Sequence, residues 1–199
     1  MSEVLAFNKW STQGITVADP GLKKYINLEP RIVPRTGGKN VKTRFHKSKT
    51  FIIERMMNRL QVSGHTGKKH VRSSGHNTGK AQLVYNTMQR ALEIIEERTK
   101  ENPIAVVVGA IENAAPREEV IAIEYGGARY PKAVEMSPSR RVDFALRQLV
   151  TAATTKSFDS KKAIEVALAD EIVNAYKLSN QSVAISKKNE IERQADSSR

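Results

Sequence analysis

The 199-residue chain contains no cysteine. Disulfide scaffolds, thiolate metal sites and cysteine nucleophiles are therefore excluded. Apolar residues are sparse at 39%, enough for one modest core. The longest apolar run, Ile104 to Ile111, falls far short of the roughly 20 residues that span a bilayer. The first residues, Met-Ser-Glu-Val-Leu, lack a basic stretch followed by an apolar one, so no signal peptide is expected. A soluble, cytoplasmic chain with no membrane partner is the expectation. Carboxylates are scarce in one place. Between Arg31 and Lys80 there is a single acid, Glu54, against thirteen Lys and Arg.

What is present is net charge +12 and an isoelectric point near 10. The segments on either side of Arg31–Lys80 are each neutral, so the whole excess lies in that window, together with all four histidines. Charge spread evenly would serve solubility. Charge concentrated in this way makes a local field that binds phosphates and releases counterions, which points to nucleic acid as partner.

Residues 1–47 read as a basic, partly disordered N-terminal extension, broken by Asp19-Pro20-Gly21, Pro30, Pro34 and Thr36-Gly37-Gly38. Leu5, Phe7 and Trp10 are expected to tack its start onto the body. Residues 48–199 read as a mainly α domain of six helices with one protruding β-hairpin arm at about 117–136. The first helix is predicted from Ser48, as N-cap, to about Ser63-Gly64, with Arg55 and Arg59 four apart on its outer face. Gly64 to Gly79 has almost no apolar side chains and is predicted to be a mobile basic loop bearing Lys68, Lys69 and Arg72. Gln82–Arg98 carries an apolar stripe of Val84, Met88, Ala91, Leu92 and Ile95. Asn102-Pro103 is a cap followed by proline at the first helical position, which makes the valine-rich run to Ala114 a helix. Glu119–Glu124 and Arg129–Met136 flank Gly126-Gly127 and read as a hairpin, with Pro131 confined to an edge. Ser137-Pro138 opens a helix to about Thr155, and another is predicted over Ser157–Ala175. The last, Val183–Asp196, is mostly polar and is expected to dock weakly or to bind a partner.

Gly75-His76-Asn77-Thr78-Gly79-Lys80-Ala81 invites comparison with a phosphate-binding P-loop. It has three residues between the glycines where four are needed, and Ala81 stands where the magnesium-binding hydroxyl belongs. A glycine and lysine at a helix start still suit a backbone phosphate. His65, His70 and His76 lack metal-ligand spacing and sit among lysines, so phosphate or base contact is the better reading and no cofactor or metal is expected. No acid–base carboxylate pair and no nucleophile elbow appears, so an enzyme is not expected. Ser139-Arg140-Arg141 and Arg147 place cations in the first half of a helix, against its dipole, as a phosphate partner would favour. A DNA-binding helix-turn-helix regulator is the main competing class. No helix shows a recognition face after a short turn.

Three stretches resemble the universal small-subunit ribosomal protein S-seven family: Glu101-Asn102-Pro103-Ile104 leading to Pro116-Arg117-Glu118, Gly126-Gly127-Ala128 through Ser137-Pro138-Ser139-Arg140-Arg141-Val142, and Ser179-Asn180-Gln181 through Glu192-Arg193. The last stretch, and Phe7-Asn8-Lys9-Trp10-Ser11-Thr12, resemble the archaeal and eukaryotic branch. The resemblance implies a helical, non-catalytic protein bound to the 3′ major domain of small-subunit ribosomal RNA. It implies a role in nucleating assembly of the subunit head, among neighbouring head proteins, with the arm near the exit-site tRNA and messenger path. Outside the ribosome a monomer is expected. The positions it implies for RNA are Arg35, Lys39, Lys42, Arg44, Lys47 and Lys49, then Lys80, Arg140 and Arg141, with Arg129 and Lys132 on the arm. Lys68, Lys69 and Arg72 of the basic loop join them on charge.

Overall fold

The computed structural model describes residues 4–39, 41–64 and 77–199. Most of the predicted basic loop, including Lys68, Lys69, Arg72 and the three histidines beside them, lies outside the described residues. Among the described residues the elements are α1 (His46–Lys49), α2 (Ile52–Leu60), α3 (Ala81–Thr99), α4 (Pro103–Ala114), β1 (Glu118–Tyr125), β2 (Ala128–Glu135), α5 (Pro138–Ser157), α6 (Ile164–Tyr176) and α7 (Val183–Asp196). The fold is mainly helical with one antiparallel hairpin, as the apolar pattern predicts.

Where a cap and an apolar stripe coincide, local chemistry sets the element. The Asn102 side chain accepts from the Ile104 N–H at 3.0 Å and Pro103 opens α4. Val106, Val107 and Val108 are all buried, so α4 has little polar face and its β-branched residues are held helical by packing. On α3 the predicted stripe from Val84 to Ile95 is buried, and Lys100 ends the helix with φ 59°. The hairpin turns on Gly126 (φ 58°) and Gly127 (φ 81°), the two positive φ values that a two-residue type I′ turn requires. Its register runs from Glu118 opposite Glu135 to Tyr125 opposite Ala128.

Two boundaries differ from the sequence expectation. The predicted first helix is interrupted at Thr50-Phe51, leaving α1 as a single turn. The cause is the extension: Asn27 bridges to Phe51, its carbonyl accepts from the Ile52 N–H at 3.0 Å, and the Ser48 hydroxyl donates to the Phe45 carbonyl instead of capping. The fifth expected helix begins at Ile164, seven residues late, because α5 continues through Ser157 and polar residues link the two.

The extension packs closely. Ala6, Phe7, Trp10, Leu22 and Ile26 join the core, Phe7 stacks on Tyr85 at 5.0 Å, and the Trp10 indole donates to Glu96 at 2.9 Å. Helix α6 sits among α3, α4 and α5. The polar α7 contributes only Ala184, Ile185 and Ala195 to the buried set, yet it is fixed by polar contacts to the base of the arm. Glu192 accepts from the Arg117 N–H at 3.0 Å, the Ser198 carbonyl accepts from Ala133, and Arg199 forks onto both oxygens of Glu118 at 2.7 and 2.8 Å.

Candidate nucleic-acid interface

The basic window folds around α2, and its cations meet those of α5. One cleft of about 360 Å³ is lined by His46, Lys47, Arg55, Arg59, Arg147 and Asp143, among others. Asp143 is the one acid among its described lining residues. Arg55, a buried side chain, donates to it at 2.9 Å and Lys47 at 3.1 Å. Burial opposes its charge, but the hydrogen bonds and charges of Arg55 and Lys47 outweigh burial and hold the carboxyl below its ordinary range. Arg59 and Arg147 form no ion pair among the described residues. Burial, and then the charge of Arg147, lower the Arg59 pKa. Two guanidiniums that repel each other across a half-open cleft are a ready seat for an anion such as phosphate.

A second cleft, of about 430 Å³, lies against the other side of Gly38 and Asn58, which line both. Arg35 and Gly79 border it, and Lys80 is exposed beside Gly79 at the start of α3. Lys39, Lys42, Arg44 and Lys49 are exposed on the strip before and through α1, with the Arg44 guanidinium 4.8 Å from the centre of the Phe45 ring. Of the six, Lys47 lines the first cleft and Arg35 the second, while Lys39, Lys42, Arg44 and Lys49 are exposed on the strip and line neither.

Arg129 and Lys132 stand on the exposed arm, outside both clefts, and Arg129 pairs with Glu124 at 3.5 Å. Arg140 is exposed but forks onto Glu119 at 2.8 and 3.0 Å. The expected role of Arg141 needs correction. It is 9% exposed, donates to the Pro116 carbonyl at 3.0 Å and to Asp19 at 2.7 Å, and so ties the extension to the arm's base. A guanidinium buried in this way is not presented to a partner. The expected site residues omit Arg59 and Arg147. Their signal was Arg59 four residues after Arg55, and a cation one turn after Asp143, but only the packing of α2 on α5 brings them together.

Among the described residues no cluster of three or more His, Asp or Glu could hold a metal ion, and no helix is long and apolar enough to cross a membrane. The class of protein so defined is a small, mainly helical one with a strip of exposed cations and a two-stranded arm. Residues 22–199 match the family model described as Ribosomal protein S7p/S5e. Curated relatives agree over nearly the whole chain. The small ribosomal subunit protein uS7 of Nanoarchaeum equitans is 55% identical, covering 97% of this chain and 98% of the relative. Its namesakes in Archaeoglobus fulgidus (46%; 99% and 96%) and Methanothrix thermoacetophila (42%; 97% and 98%) are similar too. The chain belongs to the ribosomal protein S7p/S5e family, a family of structural proteins and not of enzymes.

Proposed function

We propose that the chain is a structural constituent of the small ribosomal subunit that binds the 3′ major domain of small-subunit ribosomal RNA directly, nucleates assembly of the head, and lies near the exit-site tRNA and the messenger path. It works in the cytoplasm, within the ribosome and beside neighbouring head proteins, and is a monomer before assembly. The observation that carries the reading is the cleft between α2 and α5, where Arg59 and Arg147 are unpaired among the described residues beside Lys47 and His46. Folded RNA is recognised largely by shape and backbone, and phosphate contacts fix register on it. The RNA-facing residues in this reading are Arg35, Lys39, Lys42, Arg44, Lys47, Lys49 and Lys80, with Arg59 and Arg147 added. Lys68, Lys69 and Arg72 belong to it on charge, Arg129 and Lys132 as arm contacts, and Arg140 from the start of α5; Arg129 and Arg140 must give up their acidic partners, Glu124 and Glu119, or sit beside them.

The test replaces Lys39, Lys42, Arg44 and Lys47 together with Ala and measures binding to a 3′ major-domain RNA fragment, with duplex DNA as competitor. Binding is expected to be lost while the melting temperature stays within a few degrees, because the four side chains are exposed. Undiminished RNA binding, or a preference for duplex DNA, would refute the reading.

A further inference from the structure

Glu54 is the one acid between Arg31 and Lys80, and it is only 2% exposed. Its Oε1 accepts from the Thr36 N–H at 2.7 Å and from the Thr36 hydroxyl at 2.5 Å. Its Oε2 is buried and accepts no hydrogen bond from any of the described residues. A buried carboxylate oxygen with no donor is destabilising, and such an atom calls for a partner. The same side chain lines the 430 Å³ cleft, where Pro34 and Met57 give apolar walls, Tyr85 an aromatic ring, and Asn58 and Gln82 amide groups. Its volume, its apolar walls and its few convergent polar groups are those of a small-ligand site.

The neighbourhood says which ligand. The cleft shares Gly38 and Asn58 with the cationic cleft, and Arg35 and Lys80 stand at its border, so its occupant arrives attached to phosphates. An unpaired nucleobase meets these conditions: it is flat, has two apolar faces for walls and ring, and carries hydrogen-bonding edges for amides. Guanine alone among the four bases sets two donors side by side on its Watson–Crick edge, N1–H and N2–H, where a carboxylate accepts. The terminal torsion of a Glu is soft, so Oε2 can turn toward a donor that enters.

We propose that this cleft captures one unpaired guanine of the bound RNA, with its Watson–Crick edge donating to Glu54 and its face against Tyr85. The proposal rests on the RNA-binding reading above and adds to it a base-reading contact that phosphate contacts cannot provide.

The test probes a complex of the chain with a 3′ major-domain RNA fragment using a dicarbonyl reagent that attacks guanine N1 and N2. The wild-type chain is expected to protect one unpaired guanine that Glu54→Gln leaves reactive, with affinity about tenfold weaker in the variant. The Gln side chain keeps a carbonyl for both Thr36 bonds but presents a donor in place of Oε2, so equal melting temperatures verify the fold. The RNA-side arm needs no protein variant: inosine, which lacks the N2 amino group, at the protected position should weaken wild-type binding several-fold. A complex that forms with no guanine protected, or one whose protection and affinity survive both changes, overturns the guanine site. Failure of the wild-type chain to bind the fragment at all overturns the RNA-binding reading instead.

Discussion

The guanidinium of Arg141 holds the Pro116 carbonyl and the Asp19 carboxylate inside the chain, whereas that of its neighbour Arg140 lies on the surface against Glu119. Adjacent cations of the same type therefore have different physical roles, and variants separate them. Arg141→Met leaves Asp19 without the charge that, against the opposing effect of burial, keeps its pKa low, and removes the joint between extension and arm. Loss of a partner from a buried pair costs about 3–5 kcal/mol; Asp19 is partly exposed, so about 2–4 kcal/mol is expected here, read as a fall in melting temperature. Arg140→Ala breaks an exposed pair worth less than about 1 kcal/mol and should leave the melt nearly unchanged. If thermal melts ranked the two variants the other way, the structural role of Arg141 would be wrong. Gly109 offers a packing test at the same scale. A Cβ there would lie 2.8 Å from the Tyr176 ring, and that overlap costs about 1–3 kcal/mol. It outweighs the roughly 1 kcal/mol that alanine gains over glycine in a helix, so Gly109→Ala should lower the melting temperature.

At the scale of elements, the arm is a two-stranded ribbon, a unit that is marginal alone. Its base is held by the end of the chain, through Glu192, the Ser198 carbonyl and the fork of Arg199 on Glu118. Removing Ser198 and Arg199 should therefore raise amide exchange at the base of β1 and β2 while exchange in α3, α4 and α6 stays slow. Equal protection of the arm in both forms would show that the hairpin stands unaided. The polar composition of α7 was legible in the sequence, but its reach was not, because polar side chains dock through partners far away in the chain. The same reason separates the boundaries that were legible from those that were not. α3, α4 and the hairpin follow from stripe, cap and turn, all local. The break between α1 and α2 follows from Asn27, and no local pattern announces it. The site divides likewise. The charged window is visible as a run of residues, but the meeting of Arg59 with Arg147 and the burial of Arg141 depend on which helix faces pack.

For the whole molecule, charge sets how stability and binding answer to the solvent. Asp19, Asp143 and Asp170 all sit where burial works against the charge and bound arginine or lysine more than compensates, so each titrates below the ordinary 3.8. A lowered carboxylate pKa adds stability that is present above the unfolded value and lost as the pH falls through the folded one. The melting temperature should hold from neutral pH to about 4 and then drop, and Asp143→Asn should flatten that acid limb. Binding weakens with salt, because each phosphate neutralised releases counterions and steepens the fall of affinity with salt by about 0.7–0.9 log units per log unit. Arg59 and Arg147 repel each other in the free protein, so losing one relieves strain there and withdraws one phosphate contact in the complex. Arg147→Ala should thus leave the melting temperature level or slightly raised, while the slope of log affinity against log salt for the RNA fragment becomes shallower by about one phosphate's worth. Lys177→Ala, an exposed cation just after α6 that lines neither cleft, serves as the comparison on the same fragment and should leave that slope unchanged. A salt titration in which Arg147→Ala keeps the wild-type slope would move the phosphate seat out of the cleft between α2 and α5.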